Sequence, residues 1–166
     1  MSAILAACQP APTTDPRIRV IDPVNLAIYQ SFQFAQAAPM VRQAMAFPDM
    51  DAAAADAAIR RALIRDLDQK NYALKPDAQL SVRFGLGLRE LVEVRGRMEW
   101  GGRDGRVTEG RLQAVLQVSF TEVATGTDVW RVEVEGPWDE EATVDANVDR
   151  LIRAALRQVP RAGQKP

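Results

Sequence analysis

The stretch GRLQAVLQVSFTEVATGTDVWRVEVEG, residues 110–136, decides the fold. Leu112, Ala114, Leu116, Val118 and Phe120 take every second position, with Gln113, Gln117 and Ser119 between them. A period of two is the signature of a strand buried on one face. Trp130, Val132 and Val134 repeat the pattern after Thr125 and Gly126, residue types that suit a tight turn. The segment therefore reads as a β-hairpin.

Upstream, LSVRFGLGL (80–88) sets Leu80, Val82, Phe84, Leu86 and Leu88 against Ser81, Arg83, Gly85 and Gly87, a second one-sided strand. LVEVRGRMEW (91–100) extends or pairs with it. WGGRDGRVTEG (100–110), rich in glycine and in charges of both signs, reads as a turn or mobile loop. Nearer the start, RIRVIDP predicts a short strand over residues 17–22, stopped by Pro23, and IYQSFQFA (28–35) predicts another. These two are placed as candidate neighbours in one sheet.

Elsewhere the period changes. Ala52, Ala55, Ile59, Ala62, Leu63 and Leu67 recur at three and four residues, predicting an amphipathic helix over 51–70. Asp49 or Asp51 suits its N-cap, and Asn71 suits a left-handed C-terminus ahead of Pro76. Val144, Val148, Leu151, Ile152, Ala155 and Val159 form a second stripe, ended by Pro160. Strands and helices in this arrangement predict an α+β fold of two layers, a mainly antiparallel sheet with two amphipathic helices packed on one face. The expected organisation is one domain over 17–160, a signal remnant and flexible tether over 1–16, and a disordered tail over 161–166.

Composition narrows the function. The chain has 166 residues, 47% of them hydrophobic, enough for one core. Lys plus Arg number 21 against 22 Asp plus Glu, so no overall field recruits nucleic acid. Histidine is absent, which removes the commonest general base and metal ligand. No run reaches the roughly 20 apolar residues that a membrane-spanning helix needs.

Cys8 is the sole cysteine and can form no internal disulfide. It follows the apolar run Ala3, Ile4, Leu5, Ala6, Ala7, which resembles the end of a secretory signal. LAAC, residues 5–8, resembles a bacterial lipobox, after which the cysteine thiol carries a diacylglycerol thioether and becomes the mature N-terminus. Several acyl chains together anchor firmly where one does not. QPAPTTDP (9–16) then reads as the tether, and Gln9 resembles the sorting pattern of lipoproteins sent to the outer membrane. Cys8 is thus the expected lipid-attachment residue.

Several segments together resemble a bacterial envelope lipoprotein family known as domain of unknown function 4136. VIDPVNLAIYQSFQFA (20–35) is similar to its opening, with Asp22, Pro23, Leu26, Tyr29, Phe32 and Phe34 in the matching places. LDQKNY (67–72), PDAQLSVRF (76–84), the hairpin of residues 110–136 and VDRLIRAALRQVP (148–160) continue the resemblance. It implies a fold and an envelope address facing the periplasm. It implies no reaction and transfers no catalytic residue.

The remaining candidates read as structure. Glu140 and Glu141 are adjacent, point apart and stand near a helix start, where carboxylates are stabilising. Arg89, Arg95, Arg97, Arg103 and Arg106 could bind phosphate or lipopolysaccharide, yet Glu90, Glu93, Glu99 and Asp104 interleave with them as on a solvated hairpin. Trp130 belongs to the core, and Trp138 is the better candidate for an exposed contact. Gly85 and Gly87 lack the third glycine of a dinucleotide site and read as a twist or close approach within a strand. Neither a nucleophile elbow nor a P-loop nor a zinc pattern is present. The expectation is a non-enzymatic lipoprotein without cofactor or metal, held to the membrane by its lipid. Its envelope protein partner would add a strand near 17–22 or 92–98. The alternative is a small-molecule or lipid-binding module with a pocket between helices and sheet.

Overall fold

The computed structural model describes residues 16–21, 25–36, 40–42, 51–100 and 103–163. Cys8 and the tether before Pro16 lie outside the described residues. The strands are β1 (Arg17–Ile21), β2 (Ser31–Phe34), β3 (Met40–Arg42), β4 (Ala73–Leu74), β5 (Leu80–Trp100), β6 (Arg103–Glu122) and β7 (Asp128–Pro137). The helices are α1 (Ala52–Asp68) and α2 (Val144–Leu156). All seven strands join one sheet in the order β1-β7-β6-β5-β2-β4, with β3 also on β5. The β1–β7, β7–β6 and β6–β5 pairings are antiparallel, whereas β2 and β3 run parallel to β5, so the sheet is mixed.

Period-two alternation fixes the faces. Leu80, Val82, Leu86, Leu116, Val118, Phe120, Val132 and Val134 are buried under the helices, and Arg83, Gln117, Arg131 and Glu135 lie on the opposite, wetter face. From above, α1 contributes Ala55, Ile59, Leu63 and Leu67, and α2 contributes Val148, Leu151, Ile152 and Ala155. These form one continuous core. Trp130 stacks edge-on against Phe120 at 5.3 Å, as a core aromatic should.

Helix boundaries follow local chemistry. The Asp51 carboxylate accepts from the Ala53 and Ala54 N–H groups at 2.9 and 3.2 Å, capping α1. Asn71 takes φ 68°, and the Tyr72 N–H returns to the Leu67 carbonyl at 3.0 Å, closing the C-terminus. The Thr143 hydroxyl accepts from the Ala146 N–H at 3.2 Å and opens α2.

Three local expectations change. β1 and β2 are not neighbours: β1 pairs with β7, aligning Arg17 with Glu135 and Arg19 with Glu133, while β2 pairs with β5 and β4. Opposed unlike charges on β7 suit the two arginines of β1. Residues 26–28 form a single 3-10 turn, capped by the Asn25 side chain, so β2 starts at Ser31 rather than at 28. Residues 103–110 belong to β6 rather than to a loop. Their glycines are tolerated because β5 supplies backbone partners on both sides of a bulge between Val94 and Arg97.

Candidate interaction surface

The β5–β6 ladder runs from Leu80↔Glu122 to Trp100↔Arg103, with a bulge between Val94 and Arg97. Its neighbours leave much earlier. β7 parts from β6 at Gln113↔Pro137, and β3 accompanies β5 only as far as Arg42↔Gly87. Beyond that line, among the described residues, the two strands continue alone as a ribbon. The span of residues 88–100 at about 3.4 Å per residue makes it roughly 40 Å long.

Two features make this ribbon a poor free-standing element. A two-stranded hairpin is marginally stable in water without a third strand or a covering layer. In addition, a bulge between Val94 and Arg97 interrupts its backbone ladder. Among the described residues no strand pairs with either outer edge of the ribbon, and an unpaired edge is the template that strand addition uses.

The second open edge is β1, which pairs only with β7 among the described residues. Pro16, just ahead of it, stands 3.6 Å from where a Cβ on Gly136 would lie. That glycine is thus a point of close approach, with Leu151 Cδ2 only 3.2 Å from the same position. Gly136 aligns with Ala114 at the base of the ribbon. The chain therefore enters the domain at the end from which the ribbon projects.

Other candidates settle as follows. Arg89 donates to Gln113 at 2.8 Å and to Glu135 at 3.1 Å, an exposed network at the ribbon's base. The side chains of Arg95, Arg97, Arg103, Arg106 and Trp100 lie outside the described residues. Glu140 and Glu141 are exposed, in the turn before α2. Trp138 is half-buried and packs on the core, less available for contact than its sequence neighbours suggested. A Cβ on Gly87 would meet nothing within 4 Å, so no close approach explains that glycine.

Between helices and sheet, Ile59, Leu63, Leu80, Val132, Leu151 and Ile152 are all 0% exposed. The described hollows lie elsewhere. One, of about 190 Å³, sits on the outer sheet face over Gly85, where Asp128 accepts from Thr121 at 2.7 Å, from Arg83 at 3.2 Å and from Arg131 at 2.6 Å. These bonds, with Thr121 contributing most, hold the Asp128 carboxyl below its ordinary range. The other is a basic cleft at the ends of α1 and α2, lined by Lys70, Arg153, Arg157 and Arg161. Sequence reading missed it, because those residues are simply the wet faces of two separate helices until the topology brings the helix ends together. No group of three or more acidic residues, histidines or cysteines is placed to hold a metal among the described residues. No helix among them is long and apolar enough to cross a membrane.

The fold has solved counterparts. PelC from Paraburkholderia phytofirmans, crystallised as a dodecamer, is 13% identical, with a TM-score of 0.54 over 90% of this chain and 99% of its own. A DUF4136 family protein from Bacteroides thetaiotaomicron is 11% identical, with a TM-score of 0.54 over 90% of this chain and 99% of its own. A PDZ domain protein from Parabacteroides distasonis reaches 0.54 at 10% identity over 93% of this chain but 38% of its own. At such identities the likeness speaks for the fold alone. No curated protein sequence matches. The family model described as Domain of unknown function (DUF4136) matches residues 20–161, nearly the whole folded part, and this chain belongs to that family.

Proposed function

We propose that this chain is a lipid-anchored, non-enzymatic binding module of the bacterial envelope. Cys8 carries the lipid, the domain faces the periplasm from the outer membrane, and the projecting ribbon adds strands from a protein partner. One observation carries the reading: a two-stranded ribbon, flanked by no third strand among the described residues, leaves the domain at the end where the chain enters. The tether of residues 9–16, at most about 3.6 Å per residue, keeps that end within roughly 30 Å of the anchor. A partner in or near the same membrane is then within the ribbon's reach. Main-chain pairing along the β5 or β6 edge supplies affinity, and alternate side chains supply specificity.

A photo-crosslinking residue at Thr108, in cells expressing the full reading frame, tests this. The expected result is a single dominant crosslinked envelope protein, lost when Val92 and Val94 are both replaced by proline. Crosslinking no greater than that of an unrelated anchored domain would refute it.

A further inference from the structure

The basic cleft lies at the other end of the domain from the ribbon. Its floor is built where α1 runs out: Lys70 follows Asp68, and its amine turns inward to donate to the Val159 carbonyl at 2.6 Å. Its rim comes from α2 and the chain after it. Arg153 and Arg157 are one helical turn apart, and Arg161 lies beyond the helix, which ends at Leu156 rather than at Pro160. Arg161 is instead held in place by the tail. The Ala162 N–H donates to the Lys70 carbonyl at 2.8 Å and the Gly163 N–H to the Ala27 carbonyl at 2.7 Å, with Gly163 at φ 72°. The packed chain thus continues three residues past Pro160, into the stretch expected as tail.

Four cations and one carboxylate, Asp66, line a cleft of about 360 Å³. The carboxylates of Asp66 and Asp149 both engage Arg65. Asp66 accepts from Arg65 at 2.8 Å, and both oxygens of Asp149 accept from Arg65 at 3.1 Å, leaving Arg153 at 3.9 Å from Asp149. The side chains of Arg157 and Arg161 make no hydrogen bond or ion pair among the described residues. Burial first, and then the charge of Arg161, push the Lys70 amine below its ordinary value against the opposing pull of Asp66. Cations do favour helix C-termini, and that accounts for Lys70, which touches a carbonyl there. It accounts also for Arg157 at the α2 C-cap, but not for Arg161, which lies four residues beyond it.

We propose that this cleft binds a phosphate-bearing ligand, with Arg157 and Arg161 as the movable forks that close on its oxygens and Lys70 as the fixed charge beneath. Arginine suits the task because its planar donors match two phosphate oxygens at once, whereas lysine acts as a point charge. The proposal does not depend on the lipid at Cys8.

Calorimetric titration of the non-acylated full chain with inorganic pyrophosphate, at constant ionic strength, is the test. Saturable binding is expected, weakened at least about tenfold in Arg157→Ala/Arg161→Ala. The control Arg61→Ala/Arg89→Ala removes the same charge away from the cleft and should change affinity less than about twofold. Phosphatidylglycerol vesicles that displace pyrophosphate through the same two arginines would identify a lipid headgroup as the source. Failure of such vesicles to compete, with pyrophosphate still bound, would identify a soluble phosphorylated compound. Absence of saturable binding, or equal weakening in the control, would overturn the site.

Discussion

The Tyr72 hydroxyl lies 3.0 Å from the carbonyl oxygen of Leu26, and the same hydroxyl is 3.2 Å from the carbonyl of Pro160. Tyr72 is 1% exposed and follows the end of α1. One phenol thereby joins the turn before β2, the end of α1 and the chain after α2, three segments far apart in sequence. Removing it takes a donor from both carbonyls, although Leu26 still accepts from the Tyr29 N–H at 3.1 Å, so Tyr72→Phe should cost about 1 kcal/mol in denaturant unfolding.

The same hydroxyl carries a pH signature. Burial pushes its pKa from 10.0 up to about 12. The folded state therefore keeps the proton after the unfolded state has lost it, and stability falls as pH climbs through that interval. Below pH 10 the contribution is complete. Denaturation of the parent and of Tyr72→Phe from pH 9 to 12 should show the stability gap between them narrowing as pH rises.

Asn71 at φ 68° makes a second local test. Asn71→Gly should leave stability within a few tenths of a kcal/mol, because glycine adopts that conformation freely. Asn71→Val should lose about 1–2 kcal/mol, because a β-branched side chain collides with the backbone there. Thermal melting of the pair separates this conformational effect from any contact.

Asn147, 1% exposed, anchors the loop before α2. Its amide donates to the Asp139 carbonyl at 2.7 Å, and its oxygen accepts from the Asp139 N–H at 3.0 Å and from Arg150 at 2.8 Å. Asn147→Asp keeps one acceptor and replaces the donor by a second carboxylate oxygen facing a carbonyl. A loss of about 2–4 kcal/mol is expected at neutral pH. Acidification should narrow the gap to the parent, since a protonated carboxyl can donate again.

On the outer sheet face, Asp128 gives the opposite sign. Its lowered pKa means that its contribution is present above the ordinary value of 3.8 and disappears as pH falls through the folded value. Asp128→Asn should be less stable than the parent at neutral pH and converge with it in acid, as acid-denaturation curves would record.

Local period carried most of the fold. The residues 110–136 hairpin, both helices, the Asp51 cap and the left-handed Asn71 follow from spacing and side-chain chemistry alone. What failed depends on distant partners. β1 chose β7 over β2 because strand pairing is decided by the far end of the chain, where Glu133 and Glu135 stand opposite Arg19 and Arg17. Glycines in residues 103–110 looked like a loop because their ladder partner is a separate strand. The basic cleft was invisible for the same reason, since Lys70 and Arg161 meet only after the tail folds back onto α1. Cys8 is the reverse case, a chemical signature that spacing reveals and that lies outside the described residues.

The lipid anchor is tested most directly by mass spectrometry of the N-terminal peptide from native cells expressing the complete reading frame. A diacylated or triacylated Cys8 at the mature N-terminus is the predicted result. A peptide spanning Cys8 with a free thiol and an intact bond to Ala7 would contradict it.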